Sequence, residues 1–181
     1  MNKFAKDEKI INKEIETMVT ARNSKVIVIK VVVILLIFYI VFGYTFGFTR
    51  MKDNSMLPYI AEGDLLLFYR IEKEYAIGDV VVFSLDKEQY VLRIVAGPGQ
   101  VVKFSEDGKL LIDGYPEGRQ SFFNTIQDDD TEVIFPYRVE KGCYFVVGDY
   151  RTETNDSRKF GAISSEKIEG KVISLLKTKN I

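Results

Sequence analysis

Residues 31–49 (VVVILLIFYIVFGYTFGFT) contain no charged side chain, and most positions are Val, Ile, Leu or Phe. At about 1.5 Å of rise per residue, such a run makes a helix roughly 28 Å long, close to the hydrocarbon thickness of a bilayer. It is longer than the apolar region of a signal peptide. It begins after thirty residues and no small-x-small cleavage pattern follows it. It is also apolar all round, whereas a helix packed on a soluble core keeps a polar face. A transmembrane helix over residues 31–49 is therefore expected, with segments 1–30 and 50–181 on opposite sides of the membrane. Residues 1–30 carry seven Lys or Arg against four Asp or Glu, with Arg22, Lys25 and Lys30 at the membrane edge. The positive-inside rule places that end in the cytoplasm and residues 50–181 outside the cell membrane.

The remaining composition excludes several chemistries. Residues 50–181 carry 18 basic and 22 acidic side chains and show no basic stripe, so nucleic acid is not an expected partner. Histidine is absent, which removes a Ser-His-Asp triad, a Cys-His pair and any His-ligated metal. Cys143 is the single cysteine, so no intrachain disulfide forms. It is expected to begin a buried strand as a small hydrophobe. Asp128, Asp129 and Asp130 are read as part of a solvated loop over residues 120–132, because three consecutive side chains seldom converge on one hard cation. No metal and no cofactor are expected.

After the apolar run the chain reads as mostly β. Residues 64–71 (DLLLFYRI), 79–84 (DVVVFS), 89–95 (QYVLRIV), 100–104, 109–112, 143–147 and 171–176 are short runs rich in β-branched and aromatic residues. Glycines and acidic residues punctuate them, and Asp113-Gly114 is a hairpin-turn signal. Strands of this length and spacing suggest a sheet assembly or partly closed barrel. Ser55 follows Thr49 by only six residues, a tether of at most about 20 Å. Met51, Met56, Leu57, Tyr59 and Ile60 surround it with apolar side chains. Ser55 is thus expected at the outer membrane surface.

Several segments recur in a telling order: Ser55-Met56-Leu57-Pro58; Gly78-Asp79-Val80-Val81-Val82-Phe83; Tyr90-Val91-Leu92-Arg93-Ile94-Val95; Pro98-Gly99; Gly148-Asp149-Tyr150-Arg151; Asp156-Ser157-Arg158-Lys159-Phe160-Gly161; and Gly170-Lys171-Val172. Their order and spacing resemble bacterial type I signal peptidases (the S26 family), over roughly residues 31–176. These are membrane-anchored enzymes that remove signal peptides from exported proteins. The resemblance implies a mostly β, signal-peptidase-like domain behind one N-terminal transmembrane helix. It also implies a serine–lysine dyad, in which Ser55 matches the nucleophile of an S-M-x-P motif. A hydroxyl needs an adjacent base, and the family uses a buried, neutral lysine amine.

That lysine belongs in a Y-[IV]-K-R-V strand, where this chain places Leu92, a side chain that accepts no proton. Lys87 is about 17 Å up an extended strand from position 92 and has the opposite parity, and Lys103 falls on another expected strand. Asp53 stands where the family carries Gly or Ser near the oxyanion site, and a carboxylate there opposes the developing charge. Tyr59 replaces a Thr after the motif's proline, Tyr150 replaces an Asn, and Thr154 replaces the Ser that orients the lysine. Ala96 and Gln100 alter the turn after the base strand. Met56 and Tyr90 complete the expected cleft, with Tyr90, Leu92 and Ile94 on one strand face. Asp156 and Arg158 match a structural ion pair, and Asp149 and Arg151 are expected to help hold their loop on the sheet.

Two readings stand at this point. In the first, the chain resembles the signal-peptidase-like proteins of Gram-positive pilus loci that have lost the dyad. It would bind an exported preprotein or pilin, with a pilus sortase as a further partner and lipid around its anchor. In the second, it is a working signal peptidase that uses Ser55 with a non-standard base.

Overall fold

The computed structural model describes residues 2–118, 133–152 and 155–178, with helix side chains described at Lys13 and from Ser24 onward. The expected loop at 120–132 and Thr154 lie outside the described residues. The chain divides into two units, Met1–Tyr44 and Thr45–Ile181.

The first unit is one helix, α1 (Asn2–Thr45). Its stretch Ser24–Thr45 has a mean hydropathy of 3.1 and is long and apolar enough to cross a membrane. Val and Ile are indifferent helix formers in water. In hydrocarbon every backbone amide must bond within the segment, and that requirement outweighs side-chain propensity. The apolar side chains from Val26 to Val41 stand exposed around the helix, and Phe38 stacks on Phe42 one turn later.

The apolar run at 31–49 does not stay in one element. The helix ends at Thr45, and β1 (Phe46–Arg50) begins at the next residue. Apolar composition alone does not separate helix from strand, and residues 46–49 continue the apolar run without a break. Gly47 is required by packing. A Cβ there would lie 2.3 Å from the ring of Phe68, which reaches across from β2 (Leu65–Tyr69). β1 and β2 pair antiparallel, Phe46 opposite Tyr69 through Arg50 opposite Leu65.

The second unit is built from antiparallel pairs. Its remaining strands are β3 (Val80–Leu85), β4 (Glu88–Ala96), β5 (Val101–Phe104), β6 (Leu110–Ile112), β7 (Tyr115–Pro116), β8 (Tyr137–Arg138), β9 (Cys143–Val147), β10 (Ile163–Ser164) and β11 (Ile168–Leu176). A seven-stranded sheet has the order β1-β2-β11-β3-β4-β9-β10, and a four-stranded one the order β7-β6-β5-β8. The larger sheet curls. The Thr49 hydroxyl on β1 donates to the Gln89 side chain on β4, although β2, β11 and β3 lie between them in the sheet order. Register shifts in β11 and β4 mark the bulges that increase such twist.

Two tight turns follow from local chemistry. Asp86-Lys87 joins β3 to β4 with both residues at positive φ, and Asp113-Gly114 joins β6 to β7 in the same way. Paired positive φ is the two-residue turn whose twist matches a hairpin. β4 is an interior strand of the larger sheet: Val91 through Ala96 are all buried. Leu92 and Ile94 pack in one core cluster with Met56, Phe68 and Phe83. Val95 and Ala96 pack in a second cluster with Val102, Phe145 and Val147.

Candidate functional site

Ser55 lies in the loop between β1 and β2. The loop is closed at its base, where Met51 N–H donates to Asp64 O and Gly63 N–H donates to Met51 O, both at 2.9 Å. Its interior is short-range: Leu57 N–H donates to Asn54 O, and Tyr59 and Ile60 N–H donate to Met56 O. Met56 is fully buried in the first core cluster and anchors the segment. Two backbone contacts then position Ser55. Its N–H donates to Asp53 Oδ1 at 3.0 Å. Its carbonyl accepts from Tyr150 N–H at 2.8 Å.

The second contact ties the loop to the turn after β9. At Gly148 a Cβ would lie 2.6 Å from the Ser55 carbonyl oxygen and 3.5 Å from the Ser55 Cβ. Only glycine permits this approach without moving a backbone. The turn is itself braced by a buried ion pair. Arg158 Nε donates to Asp156 Oδ1 at 2.9 Å, and Arg158 Nη2 to Asp156 Oδ2 at 2.7 Å. Both side chains are 1% exposed. Asp156 further accepts from the N–H groups of Gly148 and Arg158, which caps the short helix α2 (Ser157–Phe160). Arg158 Nη1 reaches the Arg151 carbonyl, and Ser157 Oγ accepts from Val146 N–H. A bidentate guanidinium–carboxylate pair with its remaining lone pairs filled is the geometry that offsets the cost of burying both charges.

Leu92 is 1% exposed, opposite Val81 on β3. On its other side β4 pairs with β9, Arg93 opposite Val147 and Ile94 opposite Val146. Leu92 shares its core cluster with Met56, the residue after Ser55, and Gly148, the residue after β9, is the one against which Ser55 packs. The fold therefore brings Ser55, Asp53, Met56 and Leu92 into one region. Tyr90 lies two residues up the strand from Leu92. Its ring stacks on Phe83 at 5.4 Å and meets Phe160 at 5.9 Å. Its hydroxyl donates to Glu88, and burial, followed by that bond, pushes the phenol up from its ordinary value.

Three lysines bear on the question of a substitute base. Lys87 is exposed in the β3–β4 turn, and Lys103 is exposed on β5 of the smaller sheet. Lys171 on β11 is paired with Asp79 at 2.9 Å. Its hydrogen bond to that carboxylate pushes the amine up, which holds it protonated.

One feature escaped sequence reasoning. Arg93 makes a bidentate pair with Asp149, Nε to Oδ1 at 2.7 Å and Nη2 to Oδ2 at 2.5 Å, and donates to Gly78 O at 2.8 Å. Its guanidinium also lies over the Tyr59 ring. Asp149 is two residues beyond Val147, the partner of Arg93 in the ladder, so the link is a diagonal cross-strand contact. Arg151 is committed to Glu117 at 2.7 Å, which joins the same turn to the end of β7.

These parts define a class of protein: an apolar helix able to cross a membrane, then a mostly β domain with a loop serine packed on a turn braced by buried ion pairs. Comparison with known proteins supplies the family. The model of the signal peptidase family, peptidase S26, matches residues 24–176. Signal peptidase I of Bacillus caldolyticus is 33% identical over 144 residues, covering 71% of this chain and 78% of the relative. Signal peptidase I T of Bacillus subtilis is 30% identical over 158 residues, covering 81% and 80%. Signal peptidase IB of Staphylococcus aureus is 30% identical over 168 residues, covering 80% and 85%. A solved signal peptidase I from Enterococcus faecalis matches with 26% identity and a TM-score of 0.47, covering 56% of this chain and 97% of that one. The chain belongs to the S26 signal peptidase family.

Proposed function

We propose that this protein is a membrane-anchored relative of signal peptidase I that binds exported preproteins, pilin precursors in particular, and assists pilus assembly with little or no hydrolysis of its own. The observation that carries the reading is Leu92: 1% exposed and packed in one apolar cluster with Met56, the residue next to Ser55. Ser55 is the nucleophile position in this reading and Leu92 the position of the missing base. A positioned general base contributes roughly 10²–10⁴-fold. Without one, a serine hydroxyl is a poor nucleophile. An apolar floor beside the loop suits holding an extended segment, with strand addition as the mode of capture.

Residues 1–30 lie in the cytoplasm and the β domain outside, as the basic excess before the helix favours. Ser55 follows the end of the helix by ten residues, so it meets a client as the client leaves the bilayer. Lipid is a partner through the helix. Phe48 on β1 and Ile173 and Leu176 on β11, strands that flank β2, add exposed apolar surface. Pilin as client and a pilus sortase as neighbour rest on the resemblance to signal-peptidase-like proteins of pilus loci. The second reading, a working peptidase with an unusual base, is favoured by Ser55 itself, still within Ser55-Met56-Leu57-Pro58.

The test incubates the detergent-solubilised protein with a pilin preprotein, beside a Ser55→Ala variant. The expected result is no cleavage above the Ser55→Ala level, with equal preprotein binding by both proteins. Cleavage by the unaltered protein that disappears in Ser55→Ala overturns the proposal in favour of the working peptidase. In a deletion strain, Ser55→Ala is expected to restore pilus polymers, and its failure to do so counts against a role independent of Ser55.

A further inference from the structure

We infer that Asp53 is a second block on hydrolysis, independent of Leu92: its carboxylate occupies the Ser55 N–H that a serine nucleophile offers to the oxyanion. The inference rests on the reading that Ser55 faces the carbonyl of a bound segment. When a serine attacks, the Oγ–C bond forms, the carbonyl electron pair moves onto oxygen and the hydroxyl proton passes to the base. Collapse then breaks the C–N bond, and the base returns its proton to the leaving amine. The charge on oxygen must be met by donors already aimed at it, and the amide of the nucleophile is a common one.

Here that amide is occupied. Ser55 N–H donates to Asp53 Oδ1 at 3.0 Å. The contact spans two residues, a local turn that Asp and Asn side chains form readily. Asp53 is exposed and Ser55 half-buried, and the Ser55 carbonyl is pinned by Tyr150 N–H at 2.8 Å. The peptide plane on either side of Ser55 is thus fixed, and turning the amide toward an incoming carbonyl requires breaking the Asp53 bond. A carboxylate in that place also repels the oxyanion it displaces. Restoring a lysine at position 92 supplies a base and leaves this block untouched.

The experiment uses the full chain in detergent micelles. Cleavage of a preprotein with a small residue before the cut is measured for Leu92→Lys alone and with Asp53→Ser or Asp53→Asn added. Leu92→Lys alone is expected to stay near background. Adding Asp53→Ser raises the rate by about 10²-fold, the low end of what one oxyanion donor supplies. Asp53→Asn removes the charge and keeps an acceptor for the amide, so it stays at the level of Leu92→Lys. Labelling with 15N-serine gives a readout that does not depend on cleavage. In the unaltered protein the Ser55 amide, bonded to the Asp53 carboxylate, is expected to exchange slowly with solvent, and in Asp53→Ser that exchange speeds up. A double variant no faster than Leu92→Lys, an Asn variant as fast as the Ser variant, or a Ser55 amide whose exchange is the same in Asp53→Ser overturns the inference. Failure of the underlying reading shows differently: cleavage by Leu92→Lys with Asp53→Ser would survive a further Ser55→Ala.

Discussion

The turn after β9 and the loop that carries Ser55 meet at Gly148, and they are held by opposite means. The turn is fastened by charge: Asp156 with Arg158, Asp149 with Arg93, and Glu117 with Arg151. The loop rests on apolar contact, with Met56 and Leu92 buried in one cluster, and its polar bonds are short-range except where the Ser55 carbonyl accepts from Tyr150 N–H. The ion pairs hold a geometry and move no proton. The apolar side can hold a segment of chain, and its most prominent carboxylate, Asp53, faces an amide. The precision of the scaffold and the chemistry of the site are thus carried by different residues, and one can persist when the other changes.

The largest effect is expected on the braced side. Asp156→Ala leaves the Arg158 guanidinium buried and unpaired and removes the cap on Gly148 N–H and α2. Breaking one partner of such a pair costs about 3–5 kcal/mol. Thermal unfolding of the variant should show a fall in Tm of roughly 10–20 °C. A fall of only a degree or two would mean that the turn is held by packing, and the contrast with the Ser55 loop would collapse.

How much of this was legible beforehand depends on range. Seven of the strands correspond to runs of β-branched and aromatic residues, and Cys143–Val147 coincides with its run. β1 was hidden because its apolar residues continue the helix without a break. β7, β8 and β10, two residues each, are too short to carry an alternation. The Asp156–Arg158 pair spans two residues and is readable as a local device. Arg93–Asp149 depends on the β4–β9 register, which a bulge shifts between Ile94 and Ala96, so no local pattern announces it. Strand parity placed Tyr90, Leu92 and Ile94 on one face. Val91 nevertheless joins the same core cluster, because an interior strand in a curled sheet buries both faces. The Asp53–Ser55 contact was within reach of sequence reasoning, since an Asp two residues before an amide is a standard turn. Its meaning depends on Ser55 being the residue of interest.

A middle-sized effect tests the meeting point. Gly148→Ala places a methyl carbon 2.6 Å from the Ser55 carbonyl oxygen, too close for either backbone to stay. The Ser55 loop must move and lose its bond from Tyr150. Overpacking of this kind costs about 1–3 kcal/mol. The loss should be read in Tm together with weaker preprotein binding. A stability loss with unchanged binding would place the binding surface away from Ser55.

The smallest effect is expected where a lysine is present and committed elsewhere. Lys171 pairs with Asp79 at 2.9 Å, with side chains 31% and 15% exposed. Asp79 raises the folded-state value of the amine above its ordinary one. The pair's contribution is therefore complete below the ordinary lysine range and is lost as pH rises through the raised value. For a pair this open to solvent it is at most about 1 kcal/mol. Lys171→Met should lower Tm slightly at neutral pH, and the gap to the unaltered protein should close on the alkaline side. Since the amine stays protonated against Asp79, it is no base for Ser55, and any trace of cleavage should be the same in Lys171→Met. Cleavage that falls with Lys171→Met would mean that the apolar side of the site borrows its base from β11, and the division between a charged scaffold and an inert floor would have to be redrawn.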